Sequence, residues 1–502
     1  MVRLLSAVAR ELSWTGSRSL ATLGSTRSER RAGVEGSTNG AVRHRLVRRL
    51  GLFDSIMMMV GIVVGSGIFL TTGIMAQSIP SAPLLLLAWL AGGLLTLTGA
   101  LTFAELGAAL PHAGGQYVYL REAYGDLAGF LFGWILFLVA MGGSIAALGV
   151  GFAEYVGFFF PALSTERGLW LAGGIQITAG QLVAVGVIAL LSGFNYIGVG
   201  FGKVIQNLFT LIKIGAMVAF IVLGLLIGNT VPVDYTLNPG AAGLGTLLIG
   251  FGVAVVAVSW AFDGWNNITY IAGEIRNPAR NLPLALLTGS LVITGLYCAM
   301  NYVYLRALPV GEMAGVVRIA ERASTALHGG SGAGVISAAV IVSIFGALNG
   351  AIFVGPRVYF AMARDGLFFA KVGTVHGRFG TPAFAILAQA IWACTLAVTG
   401  TYEQLFTYVM FVTLFFWVAA TASVFVLRKR RPDLTRPYKT WGYPAVPLVF
   451  IVVTSAILLN TFFARPTESL AGLAITLIGI PVYWHWRRRG GGTPRSHPST
   501  IG

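Results

Sequence analysis

Gly61-Ile62-Val63-Val64-Gly65-Ser66-Gly67-Ile68-Phe69 and Trp260-Ala261-Phe262-Asp263-Gly264-Trp265-Asn266-Asn267 are the two stretches that decide how this chain folds. Each lies inside an apolar run long enough for a membrane helix, which needs about 20 residues to cross a bilayer core. The first carries three glycines within seven residues, and the second is polar where an uninterrupted helix would be apolar. Backbone that leaves the helix at that depth cannot be satisfied by lipid, so it must face protein, water or a ligand.

Working outward, apolar runs recur along all 502 residues. The chain is 56% hydrophobic and 10% charged, with a mean hydropathy of +0.78. A typical soluble domain is about 25% charged, so this chain lacks the polar surface a soluble fold requires. Its 66 glycines suit close helix approach in lipid, where burial of apolar surface no longer drives association. Twelve spans are predicted, near 52–76, 83–110, 126–160, 177–195, 204–228, 244–274, 283–306, 332–362, 383–400, 403–427, 444–463 and 469–486. The interrupted stretches fall in spans 1 and 6, five apart, and so cross in opposite senses. An inverted repeat of five helices plus five produces that arrangement, and matched interruptions in its two halves point to a transporter's binding site.

With the N-terminus inside, 28 of the 34 Lys and Arg residues fall on the cytoplasmic side. Five fall outside (Arg167, Arg306, Arg318, Arg322 and Arg465), and Lys213 lies within span 5. The positive-inside rule therefore places both termini in the cytoplasm, and topology accounts for the net charge of +16 without nucleic-acid binding. Residues 1–45 read as a disordered basic cytoplasmic tail, 46–486 as the twelve-helix domain and 487–502 as a second cytoplasmic tail. An Arg-rich start could also imitate a transit peptide or reflect an upstream start codon, but it is not a secretory signal. Cys298 and Cys394 lie within spans and the six histidines are scattered, so no metal, cofactor or disulfide framework is expected. No G-x-S-x-G, HExxH or phosphate-binding loop occurs, which argues against an enzyme.

A helix that breaks at the midplane frees N–H groups at the start of its second half and C=O groups at the end of its first. Donors at Gly65, Ser66, Gly67 and Ile68 would form a partly positive cradle for a carboxylate. Acceptors near Ile62 and Trp260 would suit an ammonium group. Together these describe an α-amino acid. The same glycines, Gly61 and Gly65 above all, also fit a tight helix crossing. Asp263 is a mid-span carboxylate, a costly group that normally faces a cavity. It reads either as a contact for the substrate's ammonium or cationic side chain, or as a cap for the second half of span 6. Trp260 reads as an aromatic lid or as packing. Lys213 is expected near the Gly61 carbonyl and Ser343 of span 8, where a compact cation can replace a bound ion; snorkelling toward the interface is the alternative. Glu105 and Glu154 read as structural.

These residues are similar to the amino acid–polyamine–organocation superfamily, with its LeuT-like fold, and most of all to its L-type amino-acid transporter branch and bacterial relatives. The resemblance spans about residues 46–486. It is carried by Gly65-Ser66-Gly67-Ile68-Phe69, Gly114-Gly115-Gln116-Tyr117-Val118-Tyr119, Asp263-Gly264-Trp265-Asn266-Asn267 and Gly273-Glu274-Ile275-Arg276-Asn277-Pro278. Further marks are Gly346-Ala347-Leu348-Asn349-Gly350, Ala363-Arg364-Asp365-Gly366, Arg431-Pro432-Asp433-Leu434 and Arg436-Pro437-Tyr438.

The resemblance implies an all-α, twelve-helix 5+5 inverted repeat in which spans 1, 2, 6 and 7 move against spans 3, 4, 8 and 9. It implies carboxylate binding by the backbone of Ser66, Gly67 and Ile68, with Trp260 as a gate. It also implies that Lys213 stands in for the second sodium ion of sodium-coupled relatives. Animal members attach a heavy chain through a cysteine between spans 3 and 4. The segment from Phe160 to Trp170 has none, so no disulfide-linked partner is expected. Many neutral exchangers have glycine where Asp263 stands; the aspartate is similar to the branch that takes cationic amino acids and cystine. The expected function is sodium-independent amino-acid exchange in a bacterial inner membrane. A proton-coupled symporter and a non-transporting amino-acid sensor are the alternatives.

Overall fold

The structure is a computed structural model that describes residues 48–172, 175–236, 244–400 and 402–489. The predicted basic tail at 1–45 lies outside the described residues, as does the second tail from 490 onward.

Among the described residues, eleven helices are long and apolar enough to cross a membrane, and Ala383–Thr399 is a shorter apolar helix in the place of span 9. The order of the twelve matches the hydropathy pattern, with ends shifted by a few residues. Span 1 is interrupted, as Leu52–Val63 and Gly67–Ser78, and so is span 6, as Leu244–Phe262 followed by the 3₁₀ segment Asn267–Glu274. The second half of span 6 is thus a short tight helix, distorted at Ile271 (φ −104°, ψ 16°), where the sequence suggested an ordinary half-span. Span 8 begins earlier than expected. Its helix runs Ile319–Arg364, but Gly329 at φ 73° and ψ −167° cuts off a first piece, which leaves the membrane-crossing part close to its predicted start.

Packing links spans 1, 2, 6 and 7 with one another and spans 3, 4, 8 and 9 with one another, with span 5 against spans 1, 7 and 8. Span 7 (Pro278–Ala307) lies along span 2 (Ala82–Ala109) and the first half of span 1, and the helical part of span 6 lies against spans 1 and 2. Span 8 packs on span 3 (Asp126–Phe159) and span 5 (Val199–Leu226), and spans 3, 4 (Ala179–Ile197), 8 and 9 contact one another. Short elements absent from the sequence reading join them. A helix at Gln116–Tyr124 precedes span 3, and strands β1 (Gly168–Ala172) and β2 (Ile175–Thr178) form an antiparallel hairpin after it.

Candidate functional site

The interruption in span 1 spends its own backbone in a specific way. Val64 N–H still reaches Val60 O at 2.9 Å, and Gly65 N–H turns back to Val63 O at 2.7 Å. Gly65 was expected to lend a donor to the cradle; the tight turn uses it instead. The second half then starts at Gly67. Phe69 N–H returns to Ser66 O at 3.0 Å, while Gly67 and Ile68 sit in the first turn, where a helix supplies no acceptor of its own. In span 6, Asp263 N–H returns to Trp260 O at 3.0 Å and Asn267 N–H to Gly264 O at 3.0 Å.

Glycine is required where the interruptions meet. A Cβ on Gly67 would lie 2.5 Å from Ala261 Cα, so spans 1 and 6 touch backbone to backbone there. Gly264 has φ +94°, and a Cβ on it would lie 2.7 Å from Ile62 Cγ2. The two readings of the glycines, crossing and interruption, therefore coexist at this one place.

A cavity opens beside both interruptions. Ile62, Gly65, Ser66, Gly67, Trp260 and Asp263 all line it. Ile68 does not. Its side chain is fully buried, and its carbonyl accepts from Tyr304 OH at 3.3 Å, which leaves its backbone N–H as what it can offer. Among the described residues lining the cavity, Asp263 alone is charged, and Ser144 Oγ of span 3 approaches its Oδ2 at 3.4 Å. Also lining it, Asn266 Nδ2 donates to Gln116 Oε1 at 2.8 Å, and Gln116 Nε2 to Phe416 O at 2.9 Å. Span 3 turns π-helical at Leu136–Ala140, and both end residues of that turn face the cavity. Such bulges concentrate at functional sites.

Lys213 is buried behind the interruption. Its Nζ donates to Gly61 O at 2.9 Å, Val64 O at 2.8 Å and Ser343 O at 2.8 Å. Three carbonyls thus satisfy its three donors, and the side chain does not snorkel. Ser343 contributes its backbone oxygen, while its hydroxyl donates to Val64 O at 3.1 Å. The Thr210 hydroxyl, one turn earlier on span 5, contacts Met57 O at 3.1 Å.

The Amino acid permease family profile matches residues 50–484. The chain belongs to that family. This permease is 34% identical to the serine/threonine exchanger SteT of Bacillus subtilis (strain 168), over 88% of its own length and 98% of that protein. It is 31% identical to the human b(0,+)-type amino acid transporter 1, with 88% of each chain covered. It is 30% identical to the human large neutral amino acids transporter small subunit 2, over 90% of its own length and 83% of that protein. The permease is an integral membrane protein that transports amino acids, and no enzymatic role attaches to this family.

Sequence reasoning missed one group at the permease's centre. Tyr297 of span 7 donates toward both Val63 O and Ala261 O, each at 3.0 Å, so the acceptors nearest the ends of both first halves are already engaged. Its partners are backbone carbonyls, which leave no mark in the sequence.

Proposed function

We propose that this protein exchanges amino acids across the membrane by alternating access and without sodium. The observation that carries the reading is a cavity lined by both interruptions, Gly65, Ser66 and Gly67 of span 1 together with Trp260, Asp263 and Gly264 of span 6. In this reading the substrate carboxylate is held by the N–H groups of Ser66, Gly67 and Ile68. Its ammonium faces the Ile62 end of span 1 and the Asp263 carboxylate, and Trp260 covers it. A net charge of −1 in the cavity wall favours substrates that bring a positive group close to Asp263.

Lys213 takes the part of a coupling ion, since transporters of this kind bind such ions through unwound carbonyls. Gly61, Val64 and Ser343 supply those carbonyls here. Exchange is what the name of the bacterial relative states for that protein, and it supports a place in a bacterial inner membrane. The skew of Lys and Arg supports cytoplasmic termini. Cys298 and Cys394 both lie in helices of the transport domain, which speaks against a disulfide-linked heavy chain.

The test is a thermal-shift screen of the twenty amino acids, followed by counterflow in proteoliposomes with the best binder. Uptake stimulated by internal amino acid and indifferent to sodium is expected. Uptake that requires an imposed pH gradient and ignores internal substrate would establish symport instead, and binding without uptake would establish a sensor.

A further inference from the structure

We propose that a glycerophospholipid seats in a second cavity, between the second half of span 1, the helical part of span 6 and span 11 (Ala445–Ala464), with an ester carbonyl on Asn460 and its phosphate at Arg465. This cavity shares no lining residue with the one beside the interruptions, so the inference stands apart from how that site is read.

Ile74 and Met75 of span 1, Val253 and Val256 of span 6, and Asn460 and Arg465 at the end of span 11 line it. Two glycines of span 6 shape it. A Cβ on Gly250 would lie 2.4 Å from Ser78 O, and one on Gly252 would lie 2.5 Å from Asn460 Nδ2. Span 6 therefore closes backbone to backbone on the end of span 1, and the bare position at 252 makes room for the Asn460 amide.

That amide is what calls for a ligand. Its Nδ2 is buried with no hydrogen-bond partner among the described residues, and a buried donor left unmade costs free energy. The walls beside the cavity belong to lipid-facing helix surfaces. Leu248 and Ile249 on span 6, and Leu459 and Phe463 on span 11, are each more than half exposed. An occupant arriving from the bilayer must be largely apolar, carry an acceptor at the depth of Asn460 and suit a cation further out. Arg465 is exposed and lies five residues along, about 7 Å nearer the membrane surface at the rise of a helix.

A glycerophospholipid has its groups in that order: acyl chain, ester carbonyl, phosphate. Guanidinium is the side-chain group best matched to phosphate. A fatty acid carries its acceptor and its charge on one carboxylate, and a sterol has a hydroxyl and no charge, so neither meets both residues. Spans 1 and 6 carry the two interruptions, so a lipid wedged here would tie span 11 to both.

The test is photolabelling of the full-length protein in liposomes with a phosphatidylglycerol that bears a diazirine on one acyl chain, with adducts mapped by peptide mass spectrometry. Adducts should fall on residues 253–257 and 457–464. Asn460→Leu removes the donor at similar size, and Arg465→Gln removes the charge at an exposed position that folding does not need. Each should lower labelling of these two segments about fivefold, the scale of one hydrogen bond, with labelling of other helices unchanged. A diazirine-bearing diacylglycerol, which has the ester carbonyls without the phosphate, should label the segments as weakly as Arg465→Gln does with the phospholipid. Wild-type adducts confined to other helices, or labelling that neither variant lowers, would overturn the site. Equal labelling by the diacylglycerol would show that acyl chains alone fill the cavity and would overturn the assignment of a phospholipid.

Discussion

At the scale of single residues, the site depends on one glycine and one carboxylate. Gly67 has no room for a methyl group, because the nearest atom across the gap is Ala261 Cα, which belongs to the backbone and cannot rotate away. Gly67→Ala should push spans 1 and 6 apart at a cost of about 1–3 kcal/mol. It should abolish counterflow while leaving assembled protein detectable by size exclusion; normal transport would mean the two backbones can separate freely. Asp263→Asn tests the carboxylate. If it makes one charge-assisted contact with substrate, binding should weaken by about 1.5–3 kcal/mol, about ten- to hundredfold. Unchanged affinity for every amino acid would leave Asp263 with a capping role alone. Both residues were legible because each is out of place for a lipid-facing helix. Tyr297 and the fate of the Gly65 N–H were not, since tyrosine is ordinary in a span and a turn's internal bond depends on dihedral angles that residue identity does not fix.

At the scale of elements, the first half of span 1 is fastened along span 5. Asn207 Nδ2 donates to Asp54 Oδ1 at 2.9 Å, the Thr210 hydroxyl reaches Met57 O, and Lys213 reaches Gly61 O and Val64 O. Residues 207, 210 and 213 are three apart, close to one helical turn, so they form a stripe facing a single neighbour. Only the top of that stripe was anticipated, because a lysine inside a span is conspicuous while Asn and Thr are not. Lys213→Ala removes a donor from Gly61 O, Val64 O and Ser343 O, leaves Val64 O with the Ser343 hydroxyl alone, and loosens the interruption of span 1 from span 5. Transport should slow about tenfold or more, with substrate recognition from the outward-facing side altered less. Measured in proteoliposomes, equal loss of both would place Lys213 within the substrate site itself. The twelve-helix order was legible from hydropathy, but the π-turn of span 3 and the 3₁₀ character of the second half of span 6 were not, as neither has a periodicity of its own at that length.

At the scale of the whole molecule, two carboxylates, Glu105 and Glu274, form ion pairs that join spans 2 and 6 to their surroundings. Glu105 at the end of span 2 accepts from Arg428 Nε at 2.8 Å and Nη2 at 2.6 Å, and from the N–H and hydroxyl of Thr440, both at 2.7 Å. Glu274, closing the second half of span 6, accepts from Arg357 Nε of span 8 at 3.1 Å, with both side chains almost wholly buried. The same segment is pinned from below, where Arg49 and Leu50 N–H donate to Glu274 O and Arg276 N–H to Leu50 O. A buried pair adds little stability over an apolar substitute, yet removing one partner costs about 3–5 kcal/mol because the other charge is stranded. Without Glu274, Arg357 keeps the Phe353 carbonyl as an acceptor for its Nη1 but has no counter-charge among the described residues. Its Nη2 is buried with no hydrogen-bond partner among the described residues, and the guanidinium lies over the Phe353 ring at 3.6 Å. Glu274→Gln should therefore destabilise the arrangement in which spans 6 and 8 are in contact and favour one in which they part and Arg357 meets water. With Cys298 and Cys394 replaced by serine, a cysteine at Thr413 in the cavity wall should react with a water-soluble maleimide about tenfold faster in the Glu274→Gln protein. A double Glu274→Met, Arg357→Met protein, which strands no charge, should return that rate toward the starting value. Equal rates in all three proteins would show that the pair fixes the fold without governing access to the cavity.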